Sequence, residues 1–122
     1  MDGKKVLAAE DDAFAMKMFS TMMGALGQQL DQANDGKECL SKYQANPGAY
    51  KIIFMDLHMP NMDGYDATKA IREFEKSKGL AKVKIIAMSA YEDDDTKSQT
   101  QSTGMDGIIS KPVKPAELKK YL

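Results

Sequence analysis

Five polar side chains stand immediately after short apolar runs. Glu10 and Asp11 follow Val6-Leu7-Ala8-Ala9, and Asp56 follows Ile52-Ile53-Phe54-Met55. Ser89 follows Val83-Lys84-Ile85-Ile86-Ala87-Met88, and Lys111 lies just past Gly107-Ile108-Ile109. Brought together, three carboxylates, a hydroxyl and an ammonium form a set suited to phosphoryl transfer. Clustered carboxylates raise one another's pKa unless a cation intervenes. Oxygen ligands with an open coordination sphere suit Mg²⁺, which keeps several waters and prefers one or two carboxylates. Beside such an ion a carboxylate such as Asp56 can act as nucleophile toward phosphorus, giving an aspartyl-phosphate. The rest of the task is positioning and neutralising charge on the phosphoryl oxygens. The Lys111 ammonium and the Ser89 hydroxyl have the right chemistry for two of those oxygens.

Such a meeting requires elements that deliver all five groups to one edge. The runs at 6–9, 52–55, 83–88 and 107–109 read as strands, with a weaker, polar one at 29–33 suited to a sheet edge. Between them lie segments of helical period: about 13–26, 37–44, a helix after Asp63 with Gly79 beyond its end, 92–103, and 115–122. Strict alternation implies an α/β fold, a five-stranded parallel sheet covered on both faces by five helices. With the polar strand at an edge, the doubly wound, flavodoxin-like order 2-1-3-4-5 fits, and its switch point lies between strands 1 and 3. All strands of a parallel sheet end on the same rim, which places Glu10 and Asp11 beside Asp56.

On the first helix the apolar stripe is read as Ala15, Met18, Phe19, Met22 and Leu26. Phe14, Met16 and Met23 then fall off that stripe as an exposed patch. The segment 92–103 has no large apolar residue, with Thr96, Thr100 and Gln101 where apolar side chains would be expected. Asp12 reads as a charge favoured at a helix N-terminus, Asp63-Gly64 as turn and cap, and Cys39 as a small core residue. The His58 ring reads as a surface group.

Bulk properties narrow the class. The 122 residues suit one domain, spanning 1–122, and are 43% hydrophobic and 29% charged, which excludes wholesale disorder. A formal net charge of −1 makes no electrostatic case for nucleic acid or an anionic membrane as partner. No apolar run approaches the ~20 residues of a bilayer span, and the N-terminus has no signal-peptide core. One cysteine excludes an internal disulfide and fits a reducing compartment, so a cytoplasmic location is expected.

Glu10-Asp11, MDLHMPNMDG (55–64), IIAMSA (85–90) and GMDGIISKP (104–112), in this order and spacing, closely resemble the receiver domain of two-component response regulators. The wording around 65–68 is most similar to receivers of hybrid histidine kinases and phosphorelays. The resemblance implies that Asp56 is the phosphoacceptor and Asp11 a direct Mg²⁺ ligand, with Glu10 acting through water. It implies a metal contact from the His58 backbone carbonyl, a switch hydroxyl at Ser89 and the family lysine at Lys111, before a bond to Pro112 that is often cis. Ile108 departs from the pattern, since receivers often carry Tyr or Phe there.

The implied partner is a histidine kinase or histidine-phosphotransfer protein, docking on the first helix at Phe14 and Met16. The domain itself is expected to be a monomer or a weak phosphorylation-dependent dimer, either a stand-alone regulator or part of a hybrid kinase. It is expected to be no enzyme beyond its own phosphorylation and dephosphorylation. The alternative is a degenerate receiver that only binds proteins. An Asp-nucleophile phosphatase is disfavoured because His58 stands where its general acid would be. A nucleotide- or flavin-binding relative is disfavoured because EDDAFA replaces a glycine-rich phosphate loop.

Overall fold

The computed structural model describes residues 3–91 and 93–122. Five strands, β1 (Lys5–Ala9), β2 (Leu30–Ala33), β3 (Tyr50–Asp56), β4 (Lys84–Ser89) and β5 (Gly107–Ser110), form one sheet in the order β2-β1-β3-β4-β5. All four pairings are parallel, as the apolar runs predict. The helices are α1 (Ala13–Ala25), α2 (Gly36–Ala45), α3 (Gly64–Lys78), α4 (Asp94–Thr103) and α5 (Pro115–Lys119). A short 3₁₀ turn, Pro47–Ala49, links α2 to β3.

Side chains alternate across the strands, so each face of the sheet has its own core. Leu7, Ala9, Ile53, Met55, Ile85 and Ala87 meet Cys39 and Tyr43 of α2 and Ala67 and Ile71 of α3. Val6, Ala8, Ile52, Phe54, Ile86 and Met88 meet α1 and Leu118 of α5 on the other face. The expected strands are present with ends shifted by one or two residues, and Cys39 is core as expected.

The first helix corrects the expected stripe. Met16, Phe19 and Met23 are its buried residues, with Phe19 edge-on to Phe54 at 5.2 Å between ring centroids. Met18 is 52% exposed, and Ala15, Met22 and Leu26 are half-buried. The helix is apolar nearly all round, so spacing alone could not set which face turns inward. Phe14, at 72% exposure, is on the surface as expected, whereas Met16 and Met23 are core rather than patch.

Smaller adjustments follow from capping. Asp12, Asp35, Asp63 and Asp93 each cap a helix by accepting a backbone N–H. The fourth helix therefore begins at Asp94; the expected first residue, Glu92, lies outside the described residues. Helix α4 buries only Thr100 and Thr103. The last helix is shorter than expected, closing at Lys119. Gly79 ends α3 in the left-handed region at φ 66°, where glycine carries no Cβ penalty.

Candidate phosphoacceptor and metal site

The strand register assembles the site. Ala9 lies beside Met55 and Asp56 beside Met88, so Glu10, the residue after β1, comes level with Asp56 at the rim. Glu10 is held from below, its N–H donating to the Ala33 carbonyl at 3.0 Å. Helix α3 must start directly against this rim. A Cβ at Gly64 would overlap the Asp56 carbonyl oxygen, so only glycine lets the chain turn so tightly there.

Glu10 and Asp56 are almost fully buried, at 4% and 5% exposure, while Asp11 is exposed. One carboxylate oxygen from each of the three lies within 4.8 Å of the other two. Lys111 reaches over from the β5–α5 connection, its Nζ 2.8 Å from Glu10 Oε1 and 3.0 Å from Asp56 Oδ2. The remaining carboxylate oxygens have poor donors. Asp56 Oδ1 accepts from the His58 N–H at 3.3 Å and Glu10 Oε2 from the Asp12 N–H at 3.4 Å. Asp11 accepts no hydrogen bond among the described residues.

Three carboxylates facing one ammonium leave an excess of negative charge in a partly dry cleft. Burial pushes the Glu10 carboxyl above its ordinary value, a hydrogen bond with Asp56 adds to this, and Lys111 opposes it only in part. Burial also works against the Lys111 charge, but its hydrogen bonds and attraction to Glu10 and Asp56 outweigh that and raise its pKa. Both shifts express one deficit: the site needs more positive charge. The donor set is all oxygen, converging and under-satisfied, which fits a hard divalent cation such as Mg²⁺.

Ser89 ends β4 on the same rim, 1% exposed, and its Oγ accepts the Tyr91 N–H at 2.9 Å. Its carbonyl accepts the Lys111 N–H at 2.8 Å, tying the hydroxyl-bearing strand to the lysine-bearing one. The Lys111–Pro112 bond is cis. His58 lies in the loop after β3 with its ring exposed, edge-on to Tyr91 with 6.3 Å between centroids. All the expected residues thus meet at one rim. Tyr91, 59% exposed beside Ser89, was not anticipated, because nothing in its local sequence links it to His58.

The sequence matches the response regulator receiver domain over residues 6–122. The chain belongs to the response regulator receiver family. Among curated relatives, this receiver is 36% identical over 119 residues to hybrid signal transduction histidine kinase L of Dictyostelium discoideum. It is 35% identical over 121 residues to the peroxide stress-activated histidine kinase mak3 of Schizosaccharomyces pombe. The matches cover 97% and 98% of the chain but only 7% and 5% of those proteins.

One similar solved structure is a receiver from Saccharomyces cerevisiae, co-crystallised with a histidine phosphotransfer signalling protein. It has a TM-score of 0.90 and 28% identity, covering 97% of this chain and 85% of that one. Another is the receiver of a sensor histidine kinase from Pseudomonas aeruginosa with a magnesium ion coordinated in its active-site cleft. Its TM-score is 0.85 with 29% identity, covering 98% of this chain and 93% of that one. The receiver is accordingly a regulatory phosphoacceptor signalling domain, and no helix among its described residues is long and apolar enough to cross a membrane.

Beside the acidic rim runs a groove of about 210 Å³, lined by Phe14, Ala15, Met18, Met22, Pro112 and Val113, with Glu10 and Lys111 at its end. Of the two residues expected to form a contact here, Phe14 lines it and Met16 is buried in the core instead. Met18 and Met22, expected to be core, take its place.

Proposed function

We propose that Asp56 accepts a phosphoryl group from a phosphohistidine, with Glu10 and Asp11 holding Mg²⁺ beside it. The supporting observation is the convergence of three under-satisfied carboxylates with Lys111. Asp11, the exposed one, offers oxygens to a metal directly; Glu10, tied to Lys111, acts through water. The His58 carbonyl follows Asp56 closely enough in the chain to complete the ligand set. Mg²⁺, when bound, neutralises charge on the transferring phosphoryl oxygens.

An Asp56 carboxylate oxygen forms the new bond to phosphorus as the bond from phosphorus to the imidazole nitrogen breaks. The electron pair of the broken bond stays on that nitrogen, and the proton already carried by the other ring nitrogen of the phosphohistidine lets the imidazole leave neutral. Lys111 shifts from Asp56 Oδ2 to a phosphoryl oxygen, keeping its charge paired throughout. The Ser89 hydroxyl, released from the Tyr91 N–H, donates to another phosphoryl oxygen and draws the β4–α4 connection inward. That movement shifts the domain between two populated states, and so controls an output or onward transfer. Ile108 carries no hydroxyl or aromatic ring, so the movement has no aromatic partner at that position.

The phosphodonor is a histidine kinase or a histidine-phosphotransfer protein, placing a helix across the groove of Phe14, Met18 and Met22. The yeast complex of a similar receiver with a phosphotransfer protein favours this donor class. Methionines adapt to a contact that must form and release. The reaction takes place in the cytoplasm, and the domain catalyses only its own phosphorylation and dephosphorylation.

Incubation with acetyl phosphate and Mg²⁺ should add one phosphoryl group, read by intact mass at neutral pH. Asp56→Asn should abolish it, and equal labelling of that variant refutes the assignment. Changing Phe14 and Met18 to serine should slow transfer from a phosphohistidine protein while labelling by acetyl phosphate stays near normal.

A further inference from the structure

The loop between β3 and α3, residues 57–63, carries the His58 carbonyl that the Mg²⁺ reading above assigns to the cation. A carbonyl ligand has no rotamer of its own, so its position is as definite as the loop that carries it. His58, Pro60 and Asn61 are exposed, while Met59 and Met62 are half-buried against the core, so burial holds only part of the outer loop. Its inner end is anchored by the Gly64 N–H on the Leu57 carbonyl at 3.1 Å.

The outer part is fastened from an unexpected direction. Asn61 Nδ2 donates to Asp35 Oδ2 at 2.7 Å, and the Gly36 N–H donates to the Met62 carbonyl at 2.9 Å. Asp35 and Gly36 are the cap and first residue of α2, which follows β2; β2 is not a neighbour of β3, because β1 lies between them. The two bonds therefore bridge over the end of β1, where Glu10 and Asp11 stand. Two backbone features exist to make the bridge. Asn61 is the one non-glycine residue at positive φ among the described residues, at 67°. At Gly36 a Cβ would overlap the Met62 carbonyl oxygen. Asparagine tolerates the left-handed region better than other side chains, and it also supplies the donor.

Asp35 uses both oxygens: Oδ1 accepts the Glu38 N–H at 2.8 Å, capping α2, and Oδ2 holds Asn61. These bonds, the cap first, lower its pKa, so the carboxylate stays charged.

We infer that Asp35 and Asn61 are positioning residues for the cation site, a staple across the β1 end that sets the His58 carbonyl in place for the metal. The inference rests on the Mg²⁺ reading above. Partners that orient a metal ligand commonly change affinity by about 10- to 100-fold when removed.

Two substitutions break the side-chain bond of the staple and leave the backbone bond from Gly36 to Met62 in place. Asn61→Gly keeps the positive φ and deletes the amide. Asp35→Ser keeps an N-cap of comparable quality and leaves a hydroxyl too short to serve both partners. Titration with MgCl₂ by calorimetry should show each variant binding about tenfold more weakly. The double variant should be no weaker than the weaker single one, because both delete the same bond. In the metal-free protein, hydrogen exchange should accelerate at 58–63 and stay unchanged in α2.

Mg²⁺ affinities within about twofold of wild type for both variants overturn the proposal, whatever the exchange shows. Losses that add in the double variant overturn it too, since the two residues would then act separately. Asp11→Ala serves as the control for the underlying reading. If it leaves Mg²⁺ binding intact, the cation site itself is wrongly placed, an outcome distinct from failure of the staple.

Discussion

Among the described residues, one charged cluster with buried carboxylates stands at each rim of the sheet, and the two are built on different terms. At the rim where the strands begin, Glu75 of α3 is 2% exposed and fully partnered. Its Oε2 accepts the Val83 N–H at 2.7 Å and the Tyr43 hydroxyl at 2.6 Å, and its Oε1 pairs with Arg72 Nη1 at 2.9 Å. Arg72 also donates to the carbonyls of Val83 and Gly104 and to Asp106 Oδ2, which in turn accepts the Ile85 N–H. At the rim where the strands end, Glu10 and Asp56 share a single ammonium and two long backbone contacts, and Asp11 beside them has no donor among the described residues. Both clusters are acidic in excess. The first spends its excess on internal donors, and the second leaves it open, as the proposed cation and phosphoryl group require. Charge alone does not mark a functional site; carboxylates short of donors do.

Removing a partner should separate the two most sharply at the satisfied cluster. Arg72→Met leaves the buried Glu75 charge without its cation, and should lower the unfolding free energy by about 3–5 kcal/mol. Urea denaturation measures this, and a loss below about 1 kcal/mol would mean that the two clusters do not differ as described.

Cation binding should act only at the other rim. Mg²⁺ at a hundredfold excess over its Kd should stabilise the wild-type domain by about 2.7 kcal/mol, and Asp11→Ala should remove most of that gain. Thermal melts with and without chelator test it. Arg72→Met should retain the full Mg²⁺ increment despite its lower starting point.

A smaller effect of opposite sign is expected from pH. The Glu10 pKa is raised above the ordinary 4.5, so the folded state binds that proton more tightly than the unfolded chain. In metal-free protein, stability contributed by Glu10 is therefore lost as pH rises from about 4.5 through its folded-state value. Glu10→Gln should accordingly raise the metal-free melting temperature at neutral pH, where Lys111 still has Asp56 to pair with. A fall in melting temperature would show that the Lys111–Glu10 pair outweighs the crowding. Lys111 works the other way: its raised pKa contributes stability fully present below 10.5 and lost as pH climbs through the folded-state value.

The smallest expected effect concerns α4, which lies between the two clusters. Its end at Gly104 is held by Arg72, while its buried residues, Thr100 and Thr103, are both near that end. Amides near Asp94 should exchange faster than those near Thr103, and faster than those of α1. Uniform protection along α4 would contradict this.

The order of elements, the parallel sheet and the meeting of Glu10, Asp11, Asp56, Ser89 and Lys111 were all legible in the amino-acid sequence. The reason is physical: strands buried on both faces must be continuous apolar runs, and a parallel sheet puts every run's end on one rim. Local patterns of two to six residues carry that information completely. Of the four capping aspartates only Asp63 was read as a cap, although each bonds a residue only two or three positions away.

Rotation of α1 was not legible. Phe14, Met16, Met18, Phe19, Met22 and Met23 surround the helix, and only packing against Phe54 and its neighbours decided that Met16 and Met23 turn inward. The burial of Glu75 was hidden too, because its partners Tyr43 and Val83 come from other elements. So was the bond between Asp35 and Asn61, which spans 26 positions and two strands that never touch. Periodicity reports what one segment needs to bury. Which distant donor meets which acceptor depends on how segments stack, and that is decided only when the chain has folded.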